Sequence, residues 1–587
     1  MRDVYQPDAQ NLTLRGVVVG ALIGGVMSLS NIYVFFKTGW SLGVTLTACI
    51  LAFAVFKLLA ALGARPLSVL ENNALTTVAS GAGYMTAGGN AAAFGALMLV
   101  TAALPPAARM IPPAAGLIAW FGIISALGVF VAIPIKRQLI NREGLVFPTG
   151  VATAETIRTI HTAGDGRGAA QATALGAAAL AAGVLTLLRD VWKIIPAQWS
   201  PAIAMHGQKL VSWTIAVKTE LVLVGAGALM SFRTGWSLLL GAVFNYVVLA
   251  PLLFEHGELK TPVTYAHIID WTLWPGAAIL VGAGLTSFAL DWRSIARTFS
   301  GLGKVFDRSA HREGIEAVEA PAWWFPAGLL LLTPAIVALM YLLFGIPVWA
   351  GVFAVPLAVV LGFVAARVTG ETDVTPTKAL GPVTQMLYGA ITPGNMAGNI
   401  MSANVTGGIG LHAADLLTTM KTGWLLGAKP RHQIYAQLIG VLAGAAIIVP
   451  LFYMVVPIDQ LGTDAWPAPS AIVWKNVSVA FVNGISSLPV SARWAILVGA
   501  TFGIAMTLIE KAVPKHVKAY LPSPSGFGIA MLVPASNSIA MFVGALAALL
   551  VAKRWKKHEG FIIPIASGVI AGESIVGVLH TIWEKVL

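Results

Sequence analysis

Long apolar runs recur along the chain, separated by short polar stretches. They include "LRGVVVGALIGGVMSLSNIYVFF" from Leu14, "SLGVTLTACILAFAVFKLLAAL" from Ser41, "AAGLIAWFGIISALGVFVAIPI" from Ala114 and "FPAGLLLLTPAIVALMYLLF" from Phe325. Each is about 20 residues long, the length a helix needs to cross a hydrocarbon core of about 30 Å. Barrel strands would alternate apolar and polar residues, and these runs do not. With short connections the chain accommodates about 14 to 16 such spans. The pattern predicts an all-α, polytopic integral membrane protein.

Composition agrees. Of 587 residues, 57% are hydrophobic and 11% charged, against about 25% charged in a soluble domain. The formal charge of +12 is carried in short inter-helix loops: Lys136, Arg137 and Arg142; Lys429 and Arg431; Lys511, Lys515 and Lys518; Lys553, Arg554, Lys556 and Lys557. That placement follows the positive-inside rule, assigns these loops to the cytoplasm and argues against nucleic acid as a partner. A longer polar segment from Asp291 to Ala320 reads as the cytoplasmic connection between two halves. The one cysteine, Cys49, lies inside an apolar run and permits no internal disulfide. The polar N-terminus lacks the design of a signal peptide, so the first span is expected to stay in the membrane.

Two segments are too polar and glycine-rich for plain spans. "SVLENNALTTVASGAGYMTAGGN" carries Glu71, Asn72, Asn73, Thr76 and Thr77 ahead of Gly81, Gly83, Gly88 and Gly89. "TPGNMAGNIMSANVTGGIGLHAADLLTTMKTGW" carries Asn395, Asn399, Ser402 and Asn404, then paired glycines, then His412 and Asp415. Both predict interrupted or re-entrant helices, because non-helical backbone at membrane depth survives only where protein or a water cavity satisfies it. Interrupted helices expose N–H and C=O ends able to hold a carboxylate or a cation. Asn395, Asn399 and Ser402 fall on one helical face. Packing between helices is the alternative reading for these amides.

Acidic residues in such places are costly, about 2.5 to 3.5 kcal/mol at the bilayer centre, and usually face a partner or an aqueous path. The candidates are Glu71, Glu155 in "GVATAETIRT", Asp415 and Glu573 in "AGESIVG". Their expected role is proton carriage or attraction of a substrate ammonium group, with helix capping near the interface as the alternative. Histidine is the residue type whose free side chain titrates near neutrality, so a proton relay is one expectation for His412, and a structural role among small residues, the commoner case, is its alternative.

The string Lys-Thr-Gly-Trp occurs at Lys37 and again at Lys421, 384 positions on. "LVFPTGVATAET" near Pro148 resembles "YLPSPSGFGIAM" near Pro524, 376 positions on, and "PGAAILVGAG" resembles "PIASGVIAGES" at an offset of 288. The order is the same in both copies, predicting two related halves, 1–315 and 316–587, with an insertion in the first near 165–267. A third look-alike, "FRTGWSLLLG" at Phe232, breaks the order and reads as coincidence. Internal repeats of this size are the architecture of secondary transporters, and a duplicated channel fits them as well. Lys37 and Lys421 read as interfacial anchors, and Gly39 and Gly423 as helix ends. In this alignment Asn31 stands where Asp415 stands.

Motifs for enzymes and nucleotide hydrolysis are missing. "GLGK" at Gly301 lacks the Ser or Thr of a phosphate loop, and no zinc-binding pattern occurs. The expectation is a protein with no catalytic residues, no bound metal and no cofactor, driven by an ion gradient with protons as the coupling ion. The rival reading is a passive channel or pore for small polar solutes.

Four long stretches carry a resemblance. "LENNALTTVASGAGYMTAG", "KRQLINREGLVFPTGVATAETIR", "NVTGGIGLHAADLLTTMKTGWLLGAKPRHQIYAQLIG" and "LPSPSGFGIAMLVPASNS…IPIASGVIAGESIVGV" resemble the oligopeptide transporter family, from about residue 12 to 580. The closest likeness is to prokaryotic members allied to the yellow-stripe-like branch. The Asn-Pro-Gly and Lys-Ile-Pro-Pro-Arg signatures of the fungal and plant peptide branch are missing; "TPGN" is the nearest string. The resemblance implies a permease of about 16 helices in the cytoplasmic membrane. It implies proton-coupled uptake of small peptides, glutathione-like derivatives or metal complexes of amino-acid-derived chelators. Glu71, Asn72, Asn73, the Pro148-Thr149-Gly150 turn with Glu155, Asp415 and Glu573 match its recurrent strings. The expected partners are such a substrate and the lipid bilayer; a homo-oligomer is among the arrangements left open.

Overall fold

The computed structural model describes residues 10–39, 41, 43–102, 112–162, 167–290, 319–321, 323–372, 375, 377–482, 484, 490–518 and 520–586. The first part of the chain forms α1 (Leu14–Thr38), α2 (Val44–Ala61), α3 (Val69–Gly83), α4 (Gly88–Ala102), α5 (Ala114–Lys136), α6 (Pro148–Thr162) and α7 (Arg167–Thr186). After a ribbon segment come α8 (Leu221–Ala228), α9 (Phe232–Val243), α10 (Ala250–Glu255) and α11 (Tyr265–Leu290). The remainder forms α12 (Trp324–Phe344), α13 (Val348–Thr372), α14 (Thr377–Ile391), α15 (Met396–Leu426), α16 (Pro430–Val455) and α17 (Pro469–Val482). Last come α18 (Val490–Ala512), α19 (Lys515–Lys518), α20 (Pro524–Ala530), α21 (Ala535–Arg554) and α22 (Ile562–Val586).

Thirteen helical stretches among the described residues are long and apolar enough to cross a membrane. The 31-residue α15 is too polar to be one of them, yet at 1.5 Å per residue it is about 46 Å long and reaches from face to face. The expected all-α polytopic membrane fold is what forms. The β-structure among the described residues is two small ribbons in the expected insertion. β1 (Gln198–Trp199) pairs antiparallel with β4 (Val217–Lys218), and β2 (Ala204–Met205) pairs with β3 (Gln208–Lys209). His206 and Gly207, both at positive φ, make the tight turn that suits the twist of a two-residue hairpin.

With lipid tails as apolar as leucine, close packing must hold such helices together. Small residues one turn apart supply it. Gly20 and Gly24 of α1 lie against Leu75, Val78, Ala79 and Ala82 of α3, and Gly440 and Gly444 of α16 close on Val78 and Ala82 of the same helix. The pattern repeats where Gly499 and Gly503 of α18 meet Pro275 and Ile279 of α11, and where Gly568 and Gly572 of α22 meet Leu175 and Ala179 of α7.

The predicted basic loops gather on one face. Glu319 accepts from Lys136 and Asn141, the Glu319 carbonyl accepts from Arg431, and Arg137 reaches the Ala320 carbonyl. Glu510 takes Arg233 and Lys518 there as well. The connection from Asp291 to Ala320 lies outside the described residues except for Glu319 and Ala320.

The Lys-Thr-Gly-Trp copies are not equivalent in structure. Gly39 does cap α1, at φ 73°. Gly423, expected at a helix end, instead lies within α15, which runs on to a cap at Gly427 with φ 82°. Its missing side chain makes room for Gln433 of α16. The anchoring role expected of Lys37 is also corrected. It is 5% exposed, pairs with Glu220 at 3.1 Å, and lies 5.2 Å from the ring centre of Tyr33. Lys421 is buried too, its stem against Gly150 of α6. The look-alike at Phe232 opens α9, so it shares neither position.

Candidate functional site

α15 is the axis of the site. It is buried along almost its whole length and packs against α3, α4, α5, α6, α13, α14 and α16. Asn395 is its N-cap, accepting from the Gly398 N–H at 2.7 Å and donating to the Phe344 carbonyl at 3.2 Å. The paired glycines at Gly407 and Gly408 were expected to interrupt this helix; they do not. They instead admit the backbone of Gly89 and the side chain of Asn90 from α4. The break before α15 lies between Ile391 and Met396.

The first polar segment does break as predicted. α3 ends in a short 3-10 turn at Tyr84–Thr86, and α4 restarts at Gly88, whose φ of +36° keeps the turn tight. Around this break a set of buried amides joins α4, α5 and α15. Asn404 Nδ2 donates to Asn90 Oδ1 at 2.9 Å and to the Gly89 carbonyl at 3.1 Å, while Trp120 Nε1 donates to Asn404 Oδ1 at 2.7 Å. His412 Nε2 lies 3.3 Å from Asn90 Nδ2, which makes Nε2 the acceptor and leaves the proton on Nδ1. On the apolar side of the break, Ile32, Met85, Asn90, Phe94, Phe121 and Phe452 line a cavity.

Asp415 sits one turn along from His412, 6% exposed. Ser80 of α3 donates to its Oδ1 at 2.5 Å, and Gln437 Nε2 of α16 donates to its Oδ2 at 2.7 Å. Thr45 of α2 lies 3.1 Å from Ser80 Oγ. Among the described residues no cation pairs with Asp415. Asn399 lies in the first turn of the same helix, donating to the Gln385 carbonyl at 2.6 Å.

The other candidates fall away from this centre. Glu71 lies in the first turn of α3, where Ser68 caps the helix by accepting from its N–H at 3.2 Å. Its carboxylate accepts from Arg15 at 2.8 and 2.6 Å and from Thr13 at 2.5 Å. That is an interfacial lock between α1 and α3. Asn72 meets His161 at 3.2 Å, and Asn73, 1% exposed, has neither amide atom bonded among the described residues.

Glu155 was expected at membrane depth and is instead 63% exposed, paired with Arg158 at 2.8 Å. The reason is the amphipathicity of α6. Gly150, Thr153, Ala154, Ile157 and Ile160 are buried, and Glu155 falls on the outer face. Thr149 stands in the first turn of α6, where its carbonyl accepts from Thr153 at 2.8 Å. The next residue joins α15, the Gly150 carbonyl accepting from Thr422 at 2.9 Å.

Glu573 forms a second buried centre. Its Oε1 accepts from Arg189 at 2.8 Å and its Oε2 from the Val222 N–H at 2.7 Å. Arg189 also holds Asp190 at 2.6 Å. Sequence reading had no means to join residues so distant, and it missed Ser80, Asn90, Trp120 and Gln437, whose contacts with Asp415, His412 and Asn404 are set by tertiary packing. Among the described residues no group of His, Cys, Asp and Glu could hold a metal ion.

A buried helical axis with a lone carboxylate, beside a helix broken at membrane depth, defines a polytopic membrane transport protein. The chain belongs to the OPT family: the model described as "OPT oligopeptide transporter protein" matches residues 11–583. It is similar to the iron-phytosiderophore transporter YSL15 of Oryza sativa subsp. japonica, 27% identical over 97% of this chain and 91% of that one. It is also similar to the metal-nicotianamine transporter YSL1 of Arabidopsis thaliana, 24% identical over 97% and 90%. The putative oligopeptide transporter YGL114W of Saccharomyces cerevisiae is 23% identical over 98% and 97%. These relatives are transporters, not enzymes.

Proposed function

We propose that this transporter is a proton-driven symporter, importing a small metal–chelate complex or peptide-like substrate across the cytoplasmic membrane of a prokaryotic cell. The observation that carries the reading is Asp415. A carboxylate inside a membrane protein is costly unless a partner or a proton neutralises it, and neutral donors from α3 and α16 hold this one. Protonation and deprotonation at that carboxylate would couple the proton gradient to movement of α15 against its neighbours. The break between α3 and α4 supports the substrate half of the reading. Helix ends carry N–H and C=O groups of the kind that suit the carboxylates and amines of an amino-acid-derived chelator. Here Ser28 and Asn31 hold the Ala82 and Gly83 carbonyls while Ser41 holds the Gly88 N–H, so a substrate would exchange with these side chains. The names of the plant relatives favour the chelate over the peptide. The two halves, 1–315 and 316–587, enter this reading as the parts between which the substrate path opens and closes.

Reconstitution tests it. Radiolabelled iron–nicotianamine should accumulate in proteoliposomes under an imposed pH gradient, and a protonophore should abolish accumulation. Unlabelled tripeptide in excess should compete weakly. Uptake that only equilibrates, without saturation, would identify a passive pore instead.

A further inference from the structure

Three stripes of polar side chains converge between Asp415 and the basic face. On α3, Asn73, Thr77 and Ser80 stand at i, i+4 and i+7, so they share one face of the helix. On α16, Gln433 and Gln437 stand one turn apart, and on α15 so do Asp415 and Thr419. The stripes touch in order. Ser80 and Gln437 hold Asp415. Gln433 Nε2 donates to the Thr419 carbonyl at 2.7 Å and lies 3.5 Å from Thr77 Oγ1. Asn73 follows one turn beyond Thr77, one turn from the start of α3 at the basic face. From Ser80 to Asn73 the rise is about 10 Å.

This seam is buried but not satisfied. Asn73 is 1% exposed and Gln437 is 0% exposed, yet both amide atoms of Asn73 and Oε1 of Gln437 lack partners among the described residues. Buried polar atoms in that state are ordinarily bridged by water. Gly81 packs directly against Gln437, and its missing side chain gives that amide its place in the seam. Other charged or titratable groups on the packed elements are engaged or directed elsewhere. Glu71 is held by Arg15, His412 faces Asn90, His161 faces Asn72, and Lys421 lies against α6. His432 stands next to Gln433 at the basic-face end of α16.

We infer that this α3–α15–α16 seam is a water-bearing proton passage, through which Asp415 releases its proton toward the basic face. The inference rests on the proton-coupled reading above. In each step an O–H bond of the carboxylic acid, a hydroxyl or a water breaks as the next one forms, so one proton enters the wire at Asp415 and one leaves beyond Asn73. The Ser80 hydroxyl takes part in relay; the Thr77 hydroxyl, which donates to the Asn73 carbonyl at 2.9 Å, and the amides of Asn73, Gln433 and Gln437 hold the water.

The test compares net accumulation with exchange, using radiolabelled iron–nicotianamine in proteoliposomes. Exchange between labelled and unlabelled substrate needs no proton release. Thr77→Val and Asn73→Leu should lower pH-driven accumulation at least tenfold while exchange stays within twofold of the parent, and Thr77→Ser should restore accumulation. Accumulation unchanged in both variants overturns the passage and leaves symport standing. Accumulation by the parent protein that ignores the pH gradient overturns symport itself, and the passage with it. A second measurement serves if a variant folds poorly. With Cys49 replaced by alanine, Thr77→Cys should react with a small methanethiosulfonate ammonium reagent, while Val78→Cys, packed between Gly20 and Gly440, should not. Equal protection of the two overturns the proposal.

Discussion

Ser80 and Asp415, 335 positions apart in the chain, are joined by a 2.5 Å hydrogen bond in which the hydroxyl donates to the carboxylate. Neither residue has an obvious reason to be inside a membrane by itself. Together with Gln437 they tie α3, α15 and α16 into one polar contact, beside the break that separates α3 from α4. Replacing Asp415 with asparagine leaves a side chain of the same shape that cannot carry a proton. Asp415→Asn should therefore lose pH-driven accumulation by tenfold or more while retaining exchange. The two rates, measured on the same proteoliposomes, check this.

Arg189 and Glu573 make a buried ion pair, 5% and 0% exposed. Removing one member of such a pair leaves an uncompensated charge, at about 3 to 5 kcal/mol. Arg189→Met should accordingly lower the melting temperature in detergent by several degrees. The double variant Arg189→Met, Glu573→Leu should recover part of the loss, because it also removes the fully buried carboxylate and leaves only the partly exposed Asp190 without its arginine. Thermal unfolding followed by size-exclusion chromatography compares them; a double variant less stable than the single would contradict the assignment.

Glu155 points away from the protein, and its pairing with Arg158 is an exposed i, i+3 contact worth less than about 1 kcal/mol. Glu155→Gln should transport at the parent rate with an unchanged melting temperature. Uptake assays on the purified variant decide the matter.

Gly89 meets Gly407 backbone to backbone. A side-chain carbon added at Gly89 would lie 2.8 Å from the Gly407 carbonyl carbon. Gly89→Ala should push α4 from α15, disturb the Asn404–Asn90 contact and destabilise the protein by about 1 to 3 kcal/mol. The melting temperature and the uptake rate should fall together.

Much of the architecture was legible because lipid imposes few solutions on a chain. The apolar runs predicted helices, the glycine-rich stretch near Tyr84 predicted a break, and the clustered lysines and arginines predicted a common face. The Gly-xxx-Gly pairs that clasp α3 follow a known packing signal but were not among the features read from the sequence. Other features were not. A pair of glycines looks the same whether it breaks a helix or admits a neighbour, so Gly407 and Gly408 misled. Glu155 differs for a simpler reason: the buried positions of Ile157 and Ile160 place it on the outer face of α6. The partners of Asp415 and Glu573 are set by tertiary packing, and no local pattern announces them.

In the proposed symport, substrate entry carries protons. Proteoliposomes enclosing a pH-sensitive dye, without a membrane potential, test it most directly when iron–nicotianamine is added outside. The lumen should acidify with the parent protein, in proportion to substrate entering, and should not with Asp415→Asn. Substrate entry by the parent protein with no change in lumenal pH would contradict it.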